Sequence, residues 1–159
     1  MNHQFGRAVC VTAAVLGGCA ELHAAPVKIS CGTVLQKVVV SQSSMTTFET
    51  MSTTPVRIPG AVHNVTIPSG SRCIKVTFSG GMSCQGNGGN ATCYIRARAG
   101  SLDLNPGAIS GPEMRSSYQW ARRVTAGTHV VQIQIWRIAQ NAGALIHVDD
   151  WTMDIEVLE

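Results

Sequence analysis

The stretch HVVQIQIWRI, residues 129–138, sets Val131, Ile133 and Ile135 on one side of an extended chain and Gln132, Gln134 and Trp136 on the other. Successive side chains of a β-strand point to opposite faces, so this spelling makes a strand with one apolar face and does not make an amphipathic helix. The rhythm recurs along the chain. In CIKVTFSG, Ile74, Val76 and Phe78 oppose Lys75, Thr77 and Ser79; in CYIRARAG, Ile95, Ala97 and Ala99 oppose Tyr94, Arg96 and Arg98. In DDWTMDIEVLE, Trp151, Met153, Ile155 and Val157 face inward while Thr152, Asp154 and Glu156 face away. No run keeps apolar residues at helical spacing over successive turns, and period two with one wet face marks an antiparallel sandwich.

Punctuation falls between these runs. Pro59-Gly60, Ser69-Gly70-Ser71, Gly80-Gly81, Gly88-Gly89, Asn105-Pro106-Gly107 and Ala126-Gly127 read as turns. Further strands are expected at 38–40, 46–49, 56–58 and 62–67, and a loop over 106–115. The expected fold is all-β, an antiparallel β-sandwich of jelly-roll type with about eight to ten short strands. An immunoglobulin sandwich would carry a Cys-Trp-Cys arrangement across its sheets, which the spacing does not supply. The last run closes the chain and is expected inside the sheet.

Arg7 precedes an apolar run from Ala8 to Ala20, followed by Leu22-His23-Ala24. This is the layout of a bacterial signal peptide, with a run too short to span a bilayer. The expected organisation is a leader over 1–24 and one β-sandwich domain over 25–159, exported to the periplasm or beyond. A second reading stays open. Leu16-Gly17-Gly18-Cys19 resembles a lipobox, and acylation of Cys19 would anchor the chain in the cell envelope, the one case in which membrane contact is expected. Either way Cys31, Cys73, Cys84 and Cys93 remain in an oxidising compartment, where an even number reads as two disulfides. Cys84 and Cys93 flank a short loop between strand-like runs and are expected to pair, which leaves Cys31 for Cys73. No Cys or His spacing fits a zinc claw, and there is no C-x-x-C redox pair.

Charged residues make up only 13% of the chain and the formal net charge is +3. The basic residues are scattered rather than clustered, which argues against a nucleic-acid partner. No cofactor is expected. For metals, HVDD (147–150) is the strongest local cluster, but strict alternation would send His147 and Asp149 to one face and Asp150 to the other, so no metal is expected there.

In the last third, GTHVVQIQIWRIAQNAGALIHVDDWTMDIEVLE, a Gly-Thr-His opener, an alternating strand, a short loop and an Asp-aromatic closing strand resemble the final strands of bacterial TNF-like or C1q-like jelly rolls. TTFETMSTTPVRIPGAVHNVTIPSG and CYIRARAG match the places of that family's first and central strands. The resemblance implies a homotrimer and, for some members, carbohydrate held between subunits. Tyr94 and Asp149 are the matching positions, and the loop over 110–118 departs from the pattern.

The residues themselves leave two readings of the outward face, a solvated, salt-bridged sheet surface first and a subunit interface second. Tyr94, Arg96 and Arg98 form one outward stripe, Gln132, Gln134 and Trp136 a second, Asp154 and Glu156 a third, and neighbouring stripes would pair guanidinium with carboxylate. In YQWARRV, Tyr118, Trp120 and Arg122 share a face, offering either an aromatic plate beside hydrogen-bond donors for a sugar or a core contribution. The ligand-binding candidates are therefore Tyr94, Arg96, Arg98, Tyr118, Trp120, Arg122 and Asp149. No Ser–His–acid constellation or facing carboxylate pair is spelled around His63, His129 or His147, so no catalytic residue is assigned. The expectation is a non-enzymatic, self-associating recognition module with a glycan as candidate ligand. The alternatives are an envelope lipoprotein or structural protein without a small ligand, and a secreted hydrolase.

Overall fold

The computed structural model describes residues 31–42, 47–86, 89–111, 113–139 and 143–159, so the leader and Cys19 lie outside the described residues. Its strands are β1 (Val34–Gln42), β2 (Phe48–Thr50), β3 (Val56–Gly86), β4 (Gly89–Asn90), β5 (Cys93–Ala99), β6 (Leu102–Asp103), β7 (Ile109–Gly111), β8 (Glu113–Arg137) and β9 (Leu145–Leu158). Among the described residues there is no helix. The order across the sheet is β1-β9-β3-β8-β5-β6, with β2 on β9, β4 on β3 and β7 on β5, every pairing antiparallel.

The all-β reading holds, but the strands are not all short. The runs expected at 56–58, 62–67 and 74–79 join into β3, with three of the expected turns inside it. Gly60 and Gly70 take φ of 79° and 68°, and the ladder to β8 slips at both places, between Arg57 and Val62 and between Ile67 and Ser71. A left-handed glycine at a slip bends a strand without reversing it. Gly127 of β8, at φ 136°, lies beside the second slip. The segment 106–115, expected as a loop, holds β7 and the start of β8.

The two bends decide the layers. The first half of β3 pairs with the last half of β8, Val56 opposite Ile135 and Ile67 opposite Gly127, and β5 lies on the far side of that half of β8. The second half of β3 pairs with the first half of β8, Ser71 opposite Thr125 and Ser83 opposite Glu113, with β9 and then β1 beyond it. Inward side chains from both halves meet in one cluster, including Ile58, Ile67, Phe78, Ile95, Trp120 and Met153. Burying each such side chain is worth roughly 1.5–3 kcal/mol. The closing strand β9 runs inside the sheet, between β1 and β3.

Both disulfides form. Cys31–Cys73 ties the chain ahead of β1 to β3, and Cys84–Cys93 ties the end of β3 to β5. Two bridges fit an oxidising compartment.

Candidate functional site

Alternation leaves the polar side chains of β5 and the last half of β8 on the outer side of the sheet, and register decides which of them meet. Tyr94 stands opposite Trp136, Arg96 opposite Gln134 and Arg98 opposite Gln132. The Tyr94 and Trp136 rings stack with centroids 5.2 Å apart and planes 16° from parallel. Arg96 places its guanidinium carbon 5.2 Å from the Trp136 ring centroid. Three flat groups are thus gathered on one half-buried patch, held by packing and cation–π attraction.

The polar atoms of the patch are ordered by one another. Arg96 Nε donates to Gln134 Oε1 at 2.9 Å, and its Nη1 donates to Asp103 Oδ2 at 3.2 Å. Arg98 Nε lies 2.8 Å from Asp103 Oδ1, and Arg98 also donates to the Ser101 carbonyl. Asp103, on β6, therefore bridges both arginines, which is what its register opposite Arg98 allows. Arg122 Nη1 donates to the Asp103 carbonyl at 2.8 Å and ties that short strand to β8. Arg57 of β3 stands opposite Gln134 on the same face and is exposed.

The remaining candidates go elsewhere. Trp120 is fully buried and its indole N–H donates to the Gly107 carbonyl at 2.7 Å, so it takes the core alternative and presents no plate to a ligand. Tyr118 packs against the core, its ring 5.9 Å from that of Trp120. The third stripe is not a neighbour of the first two. Asp154 and Glu156 lie on β9, where Lys37 and Lys75 approach them: Lys75 Nζ to Glu156 Oε2 at 2.8 Å, Lys37 Nζ at 3.7 Å from Glu156 and 3.8 Å from Asp154. The Lys75 hydrogen bond, ahead of the Lys75 and Lys37 charges and against partial burial, holds the Glu156 carboxyl below its usual range.

Asp149 borders a separate cleft of about 510 Å³ lined by Ser79, Met82, Ser83, His147, Asp149 and Asp150, with Gly80 and Gly81 in its floor. Strict alternation fails here. Ile146 and Val148 are buried, then Asp149 and Asp150 are both exposed, then Trp151 and Met153 are buried. An extra residue enters β9 as the ladder to β3 shifts between Ser79 and Gly81, and Asp150 takes φ 40°. The bulge brings His147, Asp149 and Asp150 to one cleft, where the expectation had Asp150 on the opposite face. His147 Nδ1 lies 2.9 Å from Glu49 Oε1 of β2. Among the described residues, no three His, Cys, Asp or Glu side chains are arranged to hold a metal ion.

Alternation alone discloses the stripe of Tyr94, Arg96 and Arg98 but not that Asp103 and Arg57 join it. The outward position of Arg57 between Val56 and Ile58 was readable; its register against β8 was not.

No protein-family model matches the chain, and no curated protein matches it. Among solved structures, it is similar to a carbohydrate-binding module of a multidomain xylanase from the hindgut metagenome of Trinervitermes trinervoides, at 14% identity and TM-score 0.34, over 76% of this chain and 96% of that one. A carbohydrate-binding module of a Cellvibrio mixtus lichenase, in complex with cellotriose, is 17% identical with TM-score 0.31, over 81% and 91%. A family two carbohydrate esterase from Cellvibrio japonicus is 12% identical with TM-score 0.26, over 77% of this chain and 35% of that one. None of the three is a TNF-like or C1q-like domain.

Proposed function

We propose that the protein is an exported, non-catalytic recognition module that binds carbohydrate on the outer face of β5 and β8. The observation that carries this reading is the Tyr94–Trp136 stack, half-buried on a rigid sheet and rimmed by Arg96, Gln134 and Asp103. A sugar ring packs its C–H face on an aromatic surface while its hydroxyls exchange hydrogen bonds with planar donors and acceptors. The rim supplies both kinds already oriented, so little side-chain entropy remains to be lost on binding. Self-association as a homotrimer belongs to the same reading. It is supported by the apolar exposure of the edge strand β1, where Val34, Leu35 and Val39 are 46%, 52% and 56% exposed.

A glycan array read with the wild type, Tyr94→Ala and Trp136→Ala tests the ligand. Saturable binding that both variants lose while keeping their unfolding midpoints supports it; a wild type that binds no glycan overturns it. Light scattering at micromolar concentration tests the assembly, which a monomer would rule out.

A further inference from the structure

Charge on the outer face is unbalanced. Arg57, Arg96 and Arg98 stand on it with Asp103 as the one carboxylate there among the described residues, and that carboxylate is shared by Arg96 and Arg98. The Arg57 side chain has no hydrogen bond or ion pair to any described residue. A guanidinium carries five N–H donors in a planar fork suited to an oxyanion, and Arg57 has all of them to offer.

Position makes the surplus usable. Arg57 faces Gln134 across one ladder, and Gln134 faces Arg96 across the next. Strands lie about 4.8 Å apart, so the two arginine backbones flank Gln134 at a separation of roughly 10 Å, within reach of two long side chains closing on one group above it. The aromatic pair sits one step further along the same face, about 7 Å away. A sugar seated on Tyr94 and Trp136 would thus hold a ring substituent, or its neighbour in an oligosaccharide, over the Arg57–Gln134–Arg96 row. We infer that the glycan taken by this face is acidic, its carboxylate or sulfate received by Arg57 beside Arg96; this rests on the carbohydrate reading above.

The test compares saccharides whose acidic group is free with ones in which it is masked or removed, with the full chain in calorimetric titrations at low salt. Oligogalacturonate against its methyl ester gives the carboxylate arm, and a sulfated oligosaccharide against its desulfated form gives the sulfate arm. The acidic member of at least one pair is expected to bind about three- to fivefold more tightly, a preference of the size one exposed charge pair supplies. Arg57→Gln should abolish that preference. Arg123→Gln, which removes an exposed guanidinium from the first half of β8 in the other layer, should leave it intact. Equal binding within both pairs, or equal losses in the two variants, overturns the inference while leaving the carbohydrate reading standing. Absence of binding to every saccharide, charged or neutral, overturns both.

Discussion

Gly80 lies against Trp151 so closely that a Cβ at Gly80 would stand 2.8 Å from the Trp151 Cβ and 3.1 Å from its Cα. The contact exists because the bulge at Asp149–Asp150 slides β9 past β3 at this point. Trp151 cannot retreat, since its ring stacks on Phe78 at 5.9 Å and its indole N–H donates to Gln42 at 2.7 Å. Gly80→Ala is therefore expected to destabilise the fold by about 1–3 kcal/mol, the usual cost of overpacking. At Gly81 the obstructing atom is the end of the Asp149 side chain, which can swing away, so Gly81→Ala should cost no more than about 0.5 kcal/mol. Urea unfolding followed by tryptophan fluorescence checks the pair, and equal costs would remove the bulge explanation.

The bulge also shows what the sequence could and could not disclose. Inward phases were legible: Ile74, Val76, Phe78, Ile95, Ile133, Ile135 and Met153 are all buried as alternation requires. The phase change was missed, since strict alternation carried through HVDD puts Asp149 and Asp150 on opposite faces; the signal for it is that Val148 and Trp151 are both apolar with two aspartates between them, and only a slip of one residue lets both point inward. Strand ends were not legible. Glycine-bearing pairs such as Ser69-Gly70 spell a turn and a bend alike, since local φ is the same and only the distant partner decides whether the chain reverses. For the candidate site, alternation placed Tyr94, Arg96 and Trp136 outward, yet which stripe neighbours which is a matter of long-range pairing. Asp154 and Glu156 went to lysines on that account, and Asp103 took the arginines.

Trp120 makes a separable structural claim. Its ring is in the core and its N–H reaches the Gly107 carbonyl, anchoring the loop that precedes β7. Trp120→Phe keeps most of the apolar area and leaves that carbonyl without its partner, so a loss of about 1–2 kcal/mol is expected. Glycan binding should not change, because the stack lies on the other side of the sheet. A binding defect in this variant, with folding intact, would return Trp120 to the ligand site.

The two disulfides close loops of different length, with sequence separations of 42 and 9. On the chain-entropy view the longer contributes roughly 4 kcal/mol and the shorter roughly 2.7 kcal/mol. Replacing Cys31 and Cys73 together by alanine should thus lower stability more than replacing Cys84 and Cys93. Unfolding midpoints of the two double variants decide it. The reverse order would mean that the short bridge acts chiefly on the native junction of β3 and β5.

Glu156 sets the acid side of the stability profile. Lys75 donates to it at 2.8 Å, and this bond, with the charges of Lys75 and Lys37, keeps its folded pKa below the ordinary value of 4.5. A carboxyl depressed by folding stabilises the native state above its unfolded pKa, and that contribution fades as pH falls through the lower, folded value. Lys75→Met preserves the side-chain stem along the sheet and removes the donor, so Glu156 should titrate closer to its unfolded value. The wild type is then expected to exceed the variant by roughly 0.5–1 kcal/mol near neutral pH, in line with half-exposed ion pairs. The gap should narrow below about pH 4 and close once Glu156 is protonated in both states. Urea midpoints of the two proteins across that range read it directly, and a gap that stays constant down to strongly acidic pH would show that Lys75 contributes through its stem rather than its charge.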